Sequence, residues 1–447
     1  MLLRLNGING IVALFGKDDV IPRLVFALKS ISHRAKYGYK IITEDKCIKD
    51  LSDLDKIKSN MAIGCCLSKA SNDIVAIHGK VYHPEGFDLS KRLEDVFEDI
   101  ERAPEILSKL DAEFTFAGIY NNSLIYGRDP LGIKPLYFSK ESGTLGLASE
   151  MKALKLIGFK NIERVQPGSI HKFSMKDEKS LIFYRIKADL KLKISMDEAS
   201  DKVLEILSES IRRRVKGLDR VAIGFSGGLD SSLLALITSK LAKVTLLSVY
   251  TEGSKDEYAV KSAKSLGLEL DKLQVDAKQL RDRINLIQNL IESDKVMDLA
   301  IGIGINLSAK RCSEIGCDAL LLGQLADELF GGYAKYVRAL KDMGEEFAED
   351  MMLKDIIEAH KNNFERDEKA SSPYTEIRLP YANIDLVKYA LSLPLSLKID
   401  PLNDQRKLVL REAAIKAGLP KDIVLKRKKA FQYSSGLQRL LVSFAKG

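Results

Sequence analysis

The sequence contains no apolar run that approaches the length of a membrane span, and it contains no tryptophan. A transmembrane helix needs about 20 consecutive apolar residues. Residues 1–7 lack the apolar stretch and the small-residue cleavage site of a secretory signal peptide. We therefore expect neither a membrane protein nor a secreted one. At 447 residues, the chain is long enough for two domains.

Cysteine is scarce as well. The five cysteines are an odd number, and their spacing fits no metal site. We expect reduced thiols in a cytoplasmic protein.

Charge of neither sign dominates the sequence. The net charge is +8, with 70 basic and 62 acidic residues spread along the chain. This balance permits a nucleic-acid partner without requiring one, and no basic stripe with stacking aromatics stands out. We do not expect a nucleic-acid partner. The densest basic cluster lies at residues 426–429.

The most informative segment reads SGGLDSS and spans residues 226–232. It follows an apolar run that is typical of a buried parallel strand and precedes a helix-like run. The free amides and dipole of a helix N-terminus favour an anion, and two glycines let the backbone approach a ligand. Asp230 could hold Mg²⁺ against phosphate. The spacing is not that of a P-loop, G-x-x-x-x-G-K-S/T. A purely structural turn capped by serine is the alternative.

The pattern along the chain changes near residue 184. Before it, short β-type runs separated by turn residues predict an α+β sandwich of antiparallel sheets. Ser195 and Glu198 have the spacing of a capping box, with Asp197 as the alternative N-cap. Beyond them, strand-like runs at residues 221–225, 244–249, 272–275 and 319–322 alternate with helical segments. This alternation predicts a doubly wound parallel sheet.

A second polar segment, GQLADELFGGY at residues 323–333, follows the last of these strands. Because the carboxyl ends of parallel strands meet at one edge of a sheet, we expect Asp327 to lie near Asp230. Two carboxylates with phosphate oxygens suit an octahedral Mg²⁺. A helix N-terminus whose dipole favours acidic residues is the structural alternative.

With both segments, the chain resembles the glutamine-dependent asparagine synthetases. That family combines SGGLDSS with GxxADELFGGY, and its N-terminal domain carries RDxxGxxPLY and ASEMKAL, here residues 128–137 and 148–154. Residues 427–432 resemble its RxK stretch. The resemblance covers nearly the whole chain. It implies an Ntn-hydrolase-like glutaminase domain over residues 9–188 and an α/β synthetase domain of the ATP-pyrophosphatase type over residues 195–447.

The resemblance also implies roles for individual residues. Asp230 and Asp327 would bind Mg²⁺, and backbone groups of Ser248 and Val249 would meet the adenine of ATP. Gly323 would border the ribose or the acyl adenylate, and Lys429 would neutralise charge on the transferring phosphate. Pyrophosphate would be held by Ser226, Gly227, Gly228, Asp230, Ser231 and Ser232.

Gln324 departs from the family, which usually has glutamate at that position. A glutamate could take a proton from attacking ammonia. A glutamine can orient a nucleophile but is not a base. Either another group takes the proton or the acyl acceptor differs.

The N-terminal domain departs further. The family's nucleophile is a cysteine exposed as the first residue of a CGI segment, and here the matching segment is Asn9-Gly10-Ile11. Asparagine has no thiol and cannot form a thioester. The family's NGE segment reads His78-Gly79-Lys80, and its arginine for the glutamine carboxylate falls near Cys66. We expect a retained fold without glutamine hydrolysis; a shifted alignment with a working cysteine elsewhere is the alternative.

The leading hypothesis is an amidoligase that adenylates aspartate and transfers the acyl group to ammonia, releasing AMP and pyrophosphate. A β-lactam synthetase, which closes an internal amide with the help of a Tyr–Glu pair, is a second hypothesis. A tRNA-modifying enzyme with the same SGGxDS loop and a nucleotide-binding regulator without turnover are two others. The sequence leaves a homodimer open.

Overall fold

The computed structural model describes residues 8–49, 57–67, 75–188, 190–252, 254, 257–425 and 435–444. The chain forms two compact units, Met1–Arg185 and Ile186–Gly447. Within the described ranges, no helix combines the length and the apolar character that crossing a membrane requires.

The first unit is built mainly from antiparallel strands. Its strands are β1 (Ile8–Phe15), β2 (Tyr39–Thr43), β3 (Cys47–Ile48), β4 (Met61–Leu67), β5 (Ala76–His83), β6 (Asp111–Tyr120), β7 (Ser123–Arg128), β8 (Tyr137–Glu141), β9 (Thr144–Ala148), β10 (Glu163–Arg164), β11 (Ser169–Phe173) and β12 (Glu178–Ile182). Its α-helices are α1 (Ile21–Ser30), α2 (Leu89–Glu98), α3 (Ala103–Leu107) and α4 (Met151–Leu156).

These strands form two packed layers. β1 pairs antiparallel with β4 on one edge and with β9 on the other, and it meets β5 only where Ile8 is opposite His78. One layer therefore runs β2–β4–β1–β9–β8 and the other β5–β6–β7–β11–β12. Alternate residues of β1 face opposite ways. Ile11 and Ala13 join a core with Tyr126 and Phe173 of the second layer. Val12 and Leu14 face α1 and α4.

Helices α2 and α3 cover the outer face of the second layer through a third apolar cluster. The unit is thus a sandwich of two antiparallel layers with helices outside, as the sequence predicts.

The second unit alternates helices with parallel strands. Its strands are β13 (Arg220–Gly224), β14 (Lys243–Thr251), β15 (Glu269–Val275), β16 (Ala319–Leu321), β17 (Ile377–Arg378), β18 (Ile399–Asp400) and β19 (Gln405–Arg406). Its α-helices are α5 (Met196–Val215), α6 (Leu229–Thr238), α7 (Glu257–Leu266), α8 (Ala277–Ile291), α9 (Val296–Glu314), α10 (Ala326–Phe330), α11 (Ala334–Met343), α12 (Glu345–Ala359), α13 (Glu365–Ser371), α14 (Ile384–Ser392), α15 (Leu408–Lys416), α16 (Lys421–Val424) and α17 (Leu437–Phe444).

The main sheet of this unit has the strand order β15–β14–β13–β16–β17, and all pairs are parallel. The chain winds outward from β13 in both directions, so the strand order switches between β13 and β16. In such sheets the crevice at the carboxyl ends of the two central strands is where ligands bind. The doubly wound sheet confirms the predicted fold class of this part of the chain.

The capping box at the start of α5 is also confirmed. The Ser195 hydroxyl accepts a hydrogen bond from the amide of Glu198 at 3.2 Å, and the Glu198 carboxylate accepts one from the amide of Ser195. Ser195, not Asp197, is therefore the N-cap.

Candidate functional site

The SGGLDSS loop leaves β13 at the switch point and leads directly into α6. Gly227 has a φ of +70°, and a Cβ there would lie 2.7 Å from the Tyr258 carbonyl oxygen, so only glycine fits. Gly228 is the N-cap of α6 and provides no side-chain cap. The hydroxyls of Ser226 and Ser231 lie 3.2 Å apart. The loop thus presents hydroxyls and the uncapped amides of α6 to the crevice.

Asp327 reaches the same place from the neighbouring strand end, as the sequence predicts. The ammonium group of Lys407 lies between the two acids. Its Nζ is 2.6 and 2.5 Å from the carboxylate oxygens of Asp230 and 2.7 Å from Oδ1 of Asp327. The two carboxylates therefore converge on one cation.

Burial by itself lowers the pKa of Lys407, but the two carboxylates outweigh it and raise that pKa above its usual value. The side chain is 5% exposed and charged. The sequence did not indicate Lys407, which lies about 80 residues after Asp327 in a segment without a recognisable motif. No local pattern distinguishes it from the many other lysines of this chain.

The backbone around the three charges is tightly constrained. Leu325 and Lys407 are not glycines, yet their φ angles are +79° and +59°. Such conformations cluster at functional sites, where the surroundings hold them in place. Gly332 lies so close that a Cβ there would be 1.9 Å from Oδ1 of Asp327 and 2.3 Å from Cε of Lys407. The close approach requires glycine at residue 332.

A cavity of about 780 Å³ opens in front of these residues. Its wall includes the SGGLDSS loop, Gly323, Asp327 and Lys407. Further cationic side chains line it, namely Lys295, Lys335, Arg338, Lys361, Arg366 and Arg411. Its wall carries seven cationic and five acidic side chains, and an opening of this size with an excess of positive charge suits a polyanionic ligand together with a small acid.

Gln324 lines the cavity and is tied to a buried carboxylate. Its Nε2 donates to Oδ2 of Asp367 at 2.5 Å. The guanidinium of Arg366 donates to Oδ1 of Asp367 from Nε at 2.9 Å and lies 2.8 Å from it through Nη2. Burial raises the pKa of Asp367, while Arg366 and the Gln324 amide oppose that effect. Asp367 is another functional candidate that the sequence did not indicate.

A single π-helical turn, His360–Phe364, joins α12 to α13 and brings Lys361, Asn362 and Asn363 to the cavity wall. Such turns inside α-helices occur frequently at functional sites. Asn363 donates to Oε1 of Glu328 at 2.9 Å, and so does the Tyr333 hydroxyl. Burial and the neighbouring Asp327 raise the pKa of Glu328. This is a Tyr–Glu pair, but both residues belong to the segment shared with asparagine synthetases, so it does not favour β-lactam formation.

The remaining predicted residues of this site are placed as follows. Ser231 and Ser232 lie in the first turn of α6, and Ser232 is fully buried. Gly323 borders the cavity beside Asp230. Ser248 and Val249 lie within β14, which continues to Thr251, and Leu247 of the same strand lines the cavity. Contact of Ser248 and Val249 with adenine stays a prediction. Lys429 lies outside the described residues.

In the N-terminal unit, Asn9 lies within β1 and follows Ile8 in that strand. Its backbone nitrogen is therefore in a peptide bond. The Asn9 carbonyl accepts a hydrogen bond from Nη1 of Arg34 at 3.0 Å. Asn9, the residue predicted to match the family's nucleophile, thus has neither a thiol nor a free amine in this chain.

A buried charge cluster lies behind Asn9. Arg34 Nε donates to Oε1 of Glu150, and His33 Nε2 lies 2.9 Å from the same oxygen. Lys152 Nζ is 2.7 Å from Oε2. Burial opposes ionisation of Glu150, but Arg34, His33 and Lys152 outweigh it and hold the pKa of Glu150 well below its usual range. These contacts give His33 and Arg34 a structural role.

β5 carries the segment that matches the family's NGE. Gly79 has a φ of +137°, and a Cβ there would clash with the Glu113 carbonyl oxygen at 2.0 Å. Only glycine therefore fits at residue 79, and Lys80 follows it with a positive charge, where the predicted match to the family has an acid. Cys66 is fully buried in β4, and burial raises the pKa of its thiol, which suppresses the reactive thiolate.

Comparison with known proteins agrees with the division of the chain into two units. The asparagine synthase family matches residues 202–348 and 340–443, and the glutamine amidotransferase domain family matches residues 90–156. A solved Bacillus subtilis glutamine phosphoribosylpyrophosphate amidotransferase, complexed with ADP and GMP, is similar at 16% identity with a TM-score of 0.34. That match covers 59% of this chain and 65% of that chain, and it is too weak to bear on the assignment.

Curated relatives match most of the chain. A Methanocaldococcus jannaschii protein, named as a glutamine-hydrolyzing asparagine synthetase, is 32% identical over 76% of this chain and 72% of its own length. Asparagine synthetase B of Escherichia coli is 25% identical over 91% of this chain and 77% of its length. Across such relatives the chain spans 64% to 77% of their length. The chain therefore belongs to the asparagine synthetase family and, by that membership, is a carbon–nitrogen ligase.

Proposed function

We propose that this protein uses ATP to join free ammonia to a carboxylic acid, with the β-carboxyl of aspartate as the acyl donor and AMP and pyrophosphate as by-products. The observation that carries the proposal is the convergence of Asp230, Asp327 and Lys407 beside the SGGLDSS loop. Two acids and one cation at the mouth of an anion-binding loop suit a triphosphate and its counter-ion.

The chain's own groups account for phosphate binding. The uncapped amides of α6 and the hydroxyls of Ser226 and Ser231 would donate to the β- and γ-phosphates. Lys407 is charged and would contact a phosphate oxygen once the acids have another partner. Asp230 and Asp327 fit Mg²⁺, which commonly takes one or two carboxylates and completes its shell with phosphate and water. When bound, the ion would neutralise phosphate charge.

The reaction would proceed in two steps. A carboxylate oxygen of aspartate attacks the α-phosphorus, and the bond to pyrophosphate breaks. The lone pair of ammonia then attacks the acyl carbon of the adenylate, AMP leaves with the bonding electrons, and the nitrogen loses a proton to solvent. The cationic cavity wall favours AMP and pyrophosphate as they form, which is electrostatic stabilisation by preorganised groups.

We propose free ammonia and not glutamine as the nitrogen source. A glutaminase of this family needs a thiol with a free amine beside it, and Asn9 supplies neither. Lys80 would repel the ammonium group of a bound glutamine. The buried Glu150 is already paired with Arg34 and Lys152 of the protein itself.

We propose the cytoplasm as the compartment. All five cysteines are free thiols, and Cys65, Cys66, Cys312 and Cys317 are buried. Free thiols persist in a reducing environment.

The test is a product assay with purified protein, ATP and Mg²⁺. We expect asparagine, AMP and pyrophosphate from aspartate and ammonium, and none of the three from aspartate and glutamine. Asp282→Asn, an exchange at an exposed residue of α8, is the matched control for Asp230→Asn, which should abolish product. Pyrophosphate release that needs an acid carrying its own amine, and no ammonium, would instead support internal amide closure. Glutamate release from glutamine would refute the loss of the glutaminase.

A further inference from the structure

We propose that Asp367 is a positioning residue that fixes the side-chain amide of Gln324, so that its oxygen faces the cavity and accepts an N–H of the amine substrate. This inference rests on the proposed function and deepens it. It assigns the group that receives ammonia, at a position where the related synthetases carry glutamate.

The hydrogen-bond partners determine which end of the amide faces the cavity. Asp367 lies against a guanidinium, and a carboxylate can only accept hydrogen bonds. The Gln324 NH₂ group therefore points at Oδ2 of Asp367, 2.5 Å from Nε2. Gln324 is half-buried and lines the cavity, so its other amide atom, Oε1, remains for a ligand.

The carboxylate is itself held in place. Asp367 is fully buried in α13. Arg366 donates to its Oδ1, and the same guanidinium is anchored 3.4 Å from Oδ1 of Asp298 and 3.0 Å from the carbonyl oxygen of Asn362. Asn362 belongs to the π-helical turn. Because Oδ1 is occupied by Arg366, only Oδ2 is available to Gln324, and the amide has one orientation.

The orientation has a chemical consequence. An amide oxygen accepts one N–H of ammonia and leaves the nitrogen lone pair directed elsewhere, towards an acyl carbon. The reversed amide would offer an N–H donor, which binds that lone pair and blocks attack. A glutamate at residue 324 would place a second carboxylate against Asp367, and two such charges at hydrogen-bond distance repel. Glutamine at 324 and aspartate at 367 are therefore a matched pair.

Three nearly isosteric variants test the pairing. In Asp367→Asn, the Asn oxygen faces Arg366 and its NH₂ faces Gln324, so the amide must turn over and present its donor to the cavity. In Gln324→Glu, two carboxylates face each other. In the double variant Gln324→Glu/Asp367→Asn, the new amide donates to the new carboxylate, and an acceptor faces the cavity again. Asp282→Asn serves as the surface control.

We expect Asp367→Asn and Gln324→Glu each to raise the KM for ammonium about tenfold or more, the cost of a lost or reversed hydrogen bond to a charged or buried group. Ammonium-dependent turnover should fall more than exchange of pyrophosphate into ATP, which precedes amine attack. The double variant should recover the KM to within about threefold. If the effects of the two substitutions on the KM for ammonium are additive in the double variant, the pairing of Gln324 with Asp367 is overturned.

Melting temperatures separate this inference from the proposed function. If the unmodified protein exchanges pyrophosphate into ATP but shows no ammonium-dependent turnover, the assignment of the amine to Gln324 is overturned. If it shows neither, the proposed function has failed, and the amine assignment fails with it. In both cases the pairing itself is still measured, because each single variant should melt lower and the double variant should melt near the unmodified protein. A double variant that melts below both single variants would overturn the fixed orientation.

Discussion

The two units of this chain both bring charged side chains together at strand ends, yet the two clusters differ in what they leave available. In the N-terminal unit, Glu150 is fully buried, and Arg34, His33 and Lys152 occupy its oxygens. In the C-terminal unit, Asp230 and Asp327 face a cavity and share one cation, Lys407. The first cluster is saturated by the protein, whereas the second can exchange its cation for a ligand.

The difference shows that a unit can keep its fold without keeping catalytic residues. The N-terminal unit has Gly79 at a position where only glycine fits, and it has the buried Arg34–Glu150 pair. It lacks a nucleophile at Asn9. The C-terminal unit holds Leu325 and Lys407 at positive φ angles beside its acids, and such conformations cluster at functional sites.

The largest effect is expected from removing the shared cation. Lys407→Met leaves two carboxylates facing each other at the cavity and should lower the rate of pyrophosphate release about 100- to 1,000-fold, as the loss of a preorganised charge does. It should also lower the free energy of unfolding by about 2–4 kcal/mol, because a partly buried ion pair is broken. Steady-state kinetics and thermal unfolding measure the two effects.

Magnesium provides the control for that variant. Since the two acids then lack a cation, Mg²⁺ without nucleotide should raise the melting temperature of Lys407→Met more than that of the unmodified protein. Equal shifts in the two proteins would contradict the view that Lys407 and the metal compete for the same carboxylates.

The saturated cluster should respond in stability and not in ligand binding. Glu150→Gln leaves the buried Arg34 without its carboxylate and should cost about 3–5 kcal/mol within the N-terminal unit. Hydrogen exchange measured by mass spectrometry should be faster in peptides from β1 and β9. The rate at which pyrophosphate is exchanged into ATP, expressed per folded molecule, should not change. Unchanged protection of those strands would show that the cluster contributes nothing to this unit.

The same cluster predicts acid sensitivity. The pKa of Glu150 is lowered in the folded protein, so its stabilising contribution is present above the unfolded value near 4.5 and is lost as the pH falls through the lower folded value. Unfolding measured between about pH 5 and pH 2 should show a steeper loss of stability in the unmodified protein than in Glu150→Gln. Parallel curves would contradict this account of Glu150.

The C-terminal unit is expected to respond on the alkaline side. Lys398 is fully buried, and burial, with Lys191 nearby, lowers its pKa to about 7, against which Glu349 acts only weakly. Since the unfolded chain then binds a proton that the folded chain does not, stability should rise from about pH 7 to pH 10. Lys398→Met should add about 1–3 kcal/mol at pH 7 and flatten that rise in thermal unfolding experiments. If the stability of Lys398→Met still rises with pH, other titratable groups cause the rise.

The smallest effect is expected from restoring a thiol. Asn9→Cys introduces the missing sulfur, but residue 9 stays within a strand and keeps its peptide bond to Ile8, so glutamate release from glutamine should remain undetectable. Ammonium-dependent activity should be unchanged. Measurable glutamate release would show that the pocket of the N-terminal unit is still competent.

Much of the architecture was predictable because periodic apolar runs and capping residues act locally. The capping box at Ser195 and strands β13 and β16 follow from such patterns. The strand β17 did not, since its two residues carry too little periodicity. At the site, Asp230 and Asp327 were predictable because parallel strand ends meet at a switch point. Lys407 and Asp367 were not, because only tertiary packing brings them there from distant parts of the chain.

The most direct test of the central claim traces an oxygen atom from the β-carboxyl group of aspartate to the products. Aspartate labelled with ¹⁸O in its β-carboxyl group is incubated with the protein, ATP, Mg²⁺ and ammonium, and the nucleotide product is analysed by mass spectrometry. If the acid attacks the α-phosphorus in front of Asp230 and Asp327, one labelled oxygen appears in the phosphate of AMP. Label in inorganic phosphate with ADP as the nucleotide product, or AMP without label, would contradict the account.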